Sequence, residues 1–208
     1  MLHSSAHGYN LECTAHKAYE LDDVDRTGKN DAYCRISFDM KNWEKTVIKK
    51  GTTPDWQQIL FLRDLKPEHE YVYVEVMDEE TGSDEPIGFC AIPLDQIRNA
   101  QGQKFSGEFE LWTCKSARKG KVCLTFRVIP LGEEPGSALT YEASTRLGVS
   151  KLDPEHEKRI KKLKLKEAAE DTAKLVGGFA AAGAALGGLF GGKKKTEGET
   201  TEATHAQH

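Results

Sequence analysis

A chain of 208 residues leaves room for one domain of ordinary size plus a tail, or for two small domains. With 38% hydrophobic and 30% charged residues, it is balanced to bury a single core in water. A formal net charge of -4 argues against a dedicated nucleic-acid binder, which carries a basic excess. The acidity sits toward the front. Residues 1–130 hold 17 basic and 21 acidic side chains, whereas the remainder holds 12 of each, arranged in blocks.

The first twenty residues contain no apolar core long enough for a secretory signal. Short strands are expected at 10–18, 32–38, 44–49, 57–62, 71–76, 86–94, 106–112 and 121–129. In the clearest of them Val72, Val74 and Val76 alternate with Tyr71, Tyr73 and Glu75, the period of two that a half-buried strand requires. Gly, Pro, Asp and Asn punctuate the intervals. Eight such strands, with a helical period only at Leu94–Ala100, predict an all-β antiparallel sandwich over residues 1–130 rather than βαβ units. Five cysteines (Cys13, Cys34, Cys90, Cys114 and Cys123) are odd in number and lack C-x-x-C spacing. They read as reduced thiols of a cytosolic protein, most of them small core hydrophobes.

Residues 131–152 mix Gly, Pro, Ser, Thr and Glu without periodicity and read as a linker. Asp153-Pro154 then supplies an N-cap with proline at the first helical position, and Glu155 and Glu157 suit the first turn of a basic helix over 153–176. Six of the nine residues from Lys158 to Lys166 are basic. A Gly/Ala-rich apolar segment, 177–195, follows, and 196–208 reads as a disordered polar tail.

The uninterrupted apolar run Leu175–Gly192 has 18 residues, seven of them glycine. As a helix it would span about 27 Å, but seven glycines would cost about 6 kcal/mol of helix propensity. On a helical wheel Leu175, Phe179, Leu186, Leu189 and Phe190 share one arc, and Gly183, Gly187 and Gly191 share another. Interfacial insertion or helix association in a membrane, a flexible tail, and a full span are the three readings left open.

Two acidic inter-strand clusters carry the functional signal: Asp22-Asp23-Val24-Asp25 through Asp31, and Asp78-Glu79-Glu80 through Asp84-Glu85. Nine carboxylates on loops at one end of a sandwich would repel one another unless a cation sat among them. Calcium accepts six to eight oxygen ligands at flexible spacing.

At this point the sequence resembles the C2 domain family. Asp25 and Asp31, six positions apart, are similar to that family's first calcium loop. Lys45-Thr46-Val47-Ile48-Lys49-Lys50 before Thr53-Pro54-Asp55-Trp56 resembles its Lys-Thr strand and Asn-Pro-x-Trp turn. Asp78 through Ile87-Gly88 looks like its third calcium loop, and Gly120-Lys121-Val122-Cys123-Leu124 its closing strand. The resemblance covers roughly residues 8–130. It implies an eight-stranded sandwich and a Ca2+ ligand set of Asp25, Asp31, Asp78, Glu80, Asp84 and Glu85. Loop three is one residue short of the usual pattern, glutamate twice replaces aspartate, and Ala32 stands where proline is usual. A metal-free domain with merely solvated acids is therefore the competing reading.

The resemblance further implies an anionic phospholipid membrane as partner, approached by a calcium-neutralised rim. Some relatives also use a lysine-rich concave face, against which Lys45, Lys49 and Lys50 read as a solvated sheet face. Lys158, Arg159, Lys161 and Lys162, with Phe179, Leu186 and Phe190, are the expected membrane contacts of the tail. The seven histidines are dispersed, and no G-x-S-x-G, P-loop or H-E-x-x-H pattern occurs, so no enzyme is expected. The expectation is a cytoplasmic, peripherally attached, calcium-dependent lipid-binding protein. The alternative is a calcium-independent protein-interaction adaptor with a self-associating tail.

Overall fold

The computed structural model describes residues 8–25, 28–139 and 147–187, with side chains through residue 173. Among the described residues nine strands form: β1 (Tyr9–Tyr19), β2 (Asp31–Ser37), β3 (Glu44–Lys45), β4 (Lys49–Lys50), β5 (Asp55–Leu65), β6 (Tyr71–Asp78), β7 (Glu85–Pro93), β8 (Lys104–Trp112) and β9 (Arg118–Pro130). A one-turn helix, α1 (Asp95–Arg98), occupies the short helical period between β7 and β8, and a long helix, α2 (Pro154–Gly187), follows the strands.

All named pairings are antiparallel, in the order β3-β2-β6-β7-β8-β9-β1-β5, with β4 also on β2. Between β7 and β8 a single residue pair, Phe89 with Trp112, joins the ladder. The assembly is thus two facing sheets, one of β2, β6 and β7 with the short β3 and β4, the other of β8, β9, β1 and β5. The expected run at 44–49 is broken in two because Thr46 turns inward: its hydroxyl takes the Cys34 amide at 3.0 Å and donates to the Val47 carbonyl at 2.9 Å.

Alternation decides which side chains fill the sandwich. Val72, Val74 and Val76 of β6 are fully buried together with Cys34 and Ile36 of β2, Cys13 of β1, and Leu124 and Phe126 of β9. Fully burying an aliphatic side chain contributes about 1.5–3 kcal/mol, so this interior is the main source of stability. Four of the five cysteines are buried and all are free thiols, and burial pushes the Cys34 thiol up to about 12. Trp56 is buried as well, its indole donating to the Ala32 carbonyl at 3.2 Å.

Sequence reading treats the stretch after β9 as a linker. In the structure its described parts lie against the sandwich as a strap. The Gly136 and Leu139 amides donate to the buried Glu12 carboxylate and to the Thr14 hydroxyl on β1. Leu147 bridges to Glu108 of β8 and Lys151 to Ala91 of β7, so the strap enters the seam where β7 and β8 hardly pair. Gly148 permits this: a Cβ there would overlap the Phe109 ring. No side-chain period announces such a segment, since it is held mainly through its backbone.

The chain divides into two compact units, Met1–Glu170 and Asp171–His208. Within the first, α2 starts on an N-cap, the Asp153 carboxylate accepting the His156 amide at 2.8 Å. His156 and Ile160 are then fully buried against the outer face of the β6–β7 sheet. In the second, the backbone stays helical as far as Gly187, through much of the Gly/Ala-rich segment that composition marks off from the basic helix. Among the described residues no helix is long and apolar enough to cross a membrane.

Candidate rim site and the docked basic helix

Loop one (residues 20–30) enters β2 at Asp31, and loop three (79–84) leaves β6 at Asp78. Because β2 and β6 are paired, with Ala32 opposite Asp78, the two acidic loops meet at one end of the sandwich. The Asp31 amide donates to Asp78 Oδ1 at 2.5 Å and the Glu79 amide to the Asp31 carbonyl at 3.0 Å. Asn30, fully buried, shapes loop one: its Oδ1 accepts the Val24 and Asp25 amides, and its Nδ2 donates to the Asp22 carbonyl at 2.7 Å. Sequence reading passes over this residue because an asparagine in an acidic turn looks like any other.

Asp78 is the most constrained of the acids. It is 2% exposed, and its Oδ2 lacks a hydrogen-bond partner. Burial, reinforced by the charges of Glu80, Asp25 and Asp31, pushes its carboxyl up to about 6 against the Asp31 hydrogen bond. A buried carboxylate oxygen without a partner, surrounded by like charge, is what a cation would relieve. The donors therefore suit a hard divalent ion, and Asp25, Asp31, Asp78 and Glu80 are the residues that would hold it. Among the described residues, however, no group of three or more His, Cys, Asp or Glu side chains is already arranged to grip a metal.

The remaining two expected ligands are engaged elsewhere. Asp84 accepts the Tyr33 hydroxyl at 2.6 Å and the Glu80 amide at 3.2 Å, so it braces loop three. Glu85 is ion-paired with Lys164 of α2, which also bonds Glu167 at 2.7 Å. Even so, burial and neighbouring Glu167 leave the Glu85 carboxyl above its ordinary range. Near the rim, Asp31 also carries Lys50 at 3.4 Å, and Asp22 is paired with Lys119.

The expected membrane contacts on α2 separate into two faces. Lys158, Lys161 and Lys162 are exposed. Arg159 instead points to the sandwich and pairs with Glu75, a fully buried carboxylate on β6. Glu75 also takes Arg35 of β2 at 2.5 Å and His156 Nε2 at 2.9 Å. Burial alone would raise the Glu75 carboxyl, but the His156 hydrogen bond and the two arginines together hold it below its ordinary value. Trp43 lies beside the same arginines, its ring centre 4.8 Å from the Arg35 guanidinium and 4.9 Å from that of Arg159. His156 sits edge-on to Tyr73 and Phe89. Glu75 looks like a solvated strand position in the sequence; nothing local reveals that a helix 81 residues later covers it. The side chains of Phe179 and Leu186, and Phe190 altogether, lie outside the described residues.

The family pattern of the C2 domain matches residues 9–111. Residues 9–111 are a C2 domain. Among curated proteins, the chain is 28% identical over 117 residues to mouse Ras GTPase-activating protein 4, a match covering 55% of this chain and 14% of that protein. The fold of a C2 domain from plant extended synaptotagmin 1 is similar, with a TM-score of 0.51 and 21% identity over 60% of this chain and 96% of that one. A human GIVD cytosolic phospholipase A2 structure shares the fold at a TM-score of 0.50 and 12% identity, over 61% of this chain and 17% of that one. The C2 fold with its antiparallel sandwich thus stands as the sequence resemblance implies, and modules of this family are in general membrane or lipid binders.

Proposed function

We propose that this chain is a non-catalytic phospholipid-binding protein whose C2 domain meets anionic membranes through loops one and three in a calcium-dependent manner. The supporting observation is the Asp78 carboxylate: held by the Asp31 amide, buried among Asp25, Asp31 and Glu80, and with one oxygen unsatisfied. Bound calcium would supply positive charge that cancels the repulsion between this rim and anionic headgroups, an effect felt within a Debye length of about 8 Å. The residues themselves do the positioning. Asn30 sets loop one, while Tyr33 and Asp84 set loop three. The outward lysines of α2, Lys158, Lys161 and Lys162, add a second weak attraction on the same chain, and two weak attachments joined covalently hold better than either alone. Arg159 does not join them, being committed to Glu75. The protein so described is peripheral, on the cytosolic side of a membrane.

Calorimetric titration of the full chain with calcium tests the reading. Binding heat is expected for the wild type and its loss in Asp31→Asn with Asp78→Asn, together with calcium-dependent sedimentation on phosphatidylserine-containing vesicles. Absence of heat in the wild type would remove calcium from the account. One observation favours a second reading, a calcium-independent protein-interaction adaptor: Lys164 and Tyr33 occupy two of the six acids in the ligand pattern. That reading expects no thermal shift on adding calcium, and oligomers that vanish when residues 153–195 are removed.

A further inference from the structure

The inward stripe of α2 changes character along its length. His156, Ile160, Leu163, Glu167 and Glu170 recur every three or four residues, the spacing of one helix face, and Lys164 adjoins them. The first two are fully buried and the others are half-buried. His156 and Arg159 anchor the near half through the buried Glu75 of β6. Beyond Leu163 the helix reaches the sandwich through ionic and polar groups. Lys164 pairs with Glu85 at the start of β7, and the Ser83 hydroxyl of loop three donates to Glu170 at 3.0 Å. The far half of the helix is therefore held by the very loop that carries the acidic rim.

Two features make this second anchor exchangeable. Lys164 already has another partner, because Glu167, one turn on along the same helix, lies 2.7 Å from its ammonium. Leaving Glu85 does not orphan a half-buried charge, which is the penalty that keeps the Glu75 cluster closed. Glu85, by contrast, shares its one ammonium with Glu167. Burial works against the Lys164 charge, yet the two carboxylates more than offset it and hold the lysine above its ordinary range. Burial leaves the Glu85 carboxyl above its own range all the same. One positive charge between two carboxylates neutralises Glu85 incompletely, and a divalent ion would do so better. Position links this acid to the rim. Glu85 stands opposite Asp78 in the β6–β7 ladder, and opposite residues of an antiparallel pair have Cβ atoms about 5 Å apart. Asp78 is the acid whose buried Oδ2 lacks a partner. The carboxylate facing it across the ladder is the one that α2 has taken.

We propose that Lys164 sets the calcium affinity of the rim: by clamping Glu85 to α2 it withholds a carboxylate from an ion at Asp78, so calcium and the far half of α2 compete for loop three. The proposal rests on the calcium reading of the rim and adds to it a competitor built into the same chain. The competition is reciprocal. By whatever factor the clamp weakens calcium binding, calcium weakens the clamp by the same factor. Only the far half of the helix responds, because Glu75 keeps the near half docked.

Full-length protein is titrated with calcium by calorimetry, without lipid, and its backbone amide exchange is followed with and without the ion. Lys164→Met keeps the aliphatic stem and removes the ammonium; it is expected to bind calcium about fivefold or more tightly than the wild type. Lys164→Arg restores a cation and should return the wild-type value. Lys166→Met removes an equal charge from the same helix, but its partner is Glu170 at 3.5 Å, so it should shift the Kd less than about twofold. In the wild type, calcium should speed exchange over residues 163–170 about fivefold or more and leave 156–160 unchanged. In Lys164→Met the same stretch should exchange fast with or without calcium. Equal calcium affinity in the wild type and Lys164→Met overturns the clamp while the rim stands. Equal shifts in the two methionine variants reduce the effect to net charge and overturn the clamp as well, as does exchange over 163–170 that ignores calcium. Heat from Lys164→Met where the wild type gives none supports a clamp that is complete. Heat from neither overturns the clamp and the calcium reading together.

Discussion

Glu75 and Asp78 stand three residues apart on β6, and their surroundings shift their carboxyls in opposite directions. Glu75 ionises easily because His156 and two arginines surround it, whereas Asp78 has only an amide partner and three acidic neighbours. The consequences for stability have opposite signs. A carboxyl raised on folding contributes most below its unfolded value and loses that contribution as pH rises through the folded value. For Asp78 that window runs from 3.8 to about 6. Glu75, depressed on folding, contributes at neutral pH and loses its contribution as pH falls below its ordinary value of 4.5. Asp78→Asn keeps an acceptor for the Asp31 amide but removes the charge. Its melting temperature, measured without calcium, should gain on the wild type as pH rises from about 4 to about 6 and stay ahead above that. A difference that does not vary with pH would refute the assignment.

At the level of elements, the strap and α2 form one attachment that closes the sandwich on its outer side. Gly148 is its narrowest point, since the Phe109 ring leaves no room for a Cβ. Phe109 is itself fully buried and packed at 5.9 Å from Phe126, so it cannot readily yield. Gly148→Ala should therefore cost about 1–3 kcal/mol, the usual penalty for overpacking, lowering the melting temperature and loosening the strap. Limited proteolysis would read this as faster cleavage between residues 131 and 153, with the sandwich itself retained. The same logic applies where α2 meets β6. Glu75→Gln leaves Arg35 and Arg159 without a full countercharge, and removing one partner of a buried ionic cluster costs about 3–5 kcal/mol. Since the helix contributes two of the three side chains that hold Glu75, release of α2 is the expected outlet for that cost. Trp43, losing the Arg159 guanidinium that α2 brings to it, should report the release as a change in fluorescence.

Over the whole first unit, several acidic side chains of the sandwich meet a cation brought by α2. The outer face of the β6 sheet receives Arg159 of α2, and Glu85 at the start of β7 receives Lys164. At the forward rim Asp78 keeps a buried carboxylate oxygen without a hydrogen-bond partner, close to the charges of Glu80, Asp25 and Asp31. A salt titration should separate these regions. The surface pairs of α2, such as Lys158 with Glu155 and Lys166 with Glu170, weaken as screening rises, while the Glu75 cluster resists because water is excluded from it. Fluorescence of Trp43 is accordingly expected to stay constant up to molar salt in the wild type and to become salt-sensitive in Glu75→Gln. Equal salt sensitivity in both would mean that the buried cluster does not hold the helix.

The amino-acid order alone determined the sandwich, because the information it needs is local. Alternation in β6 declares an inward valine face, turn residues mark the strand ends, and Asp153-Pro154 marks the start of α2 to the residue. It also identified the two acidic loops, whose meeting follows once Asp31 and Asp78 are placed at adjoining ends of paired strands. Tertiary structure alone decided which charges remain available. Glu85 and Arg159 read as a ligand and a membrane contact until Lys164 and Glu75 are seen opposite them, and the segment after β9 reads as a linker until its backbone is found in the β7–β8 seam. The physical reason is range. Periodicity reports whether a residue faces in or out of its own element, but an ion pair or a backbone bridge is chosen by a partner some 40 to 80 residues away, and no spacing along the chain encodes that choice.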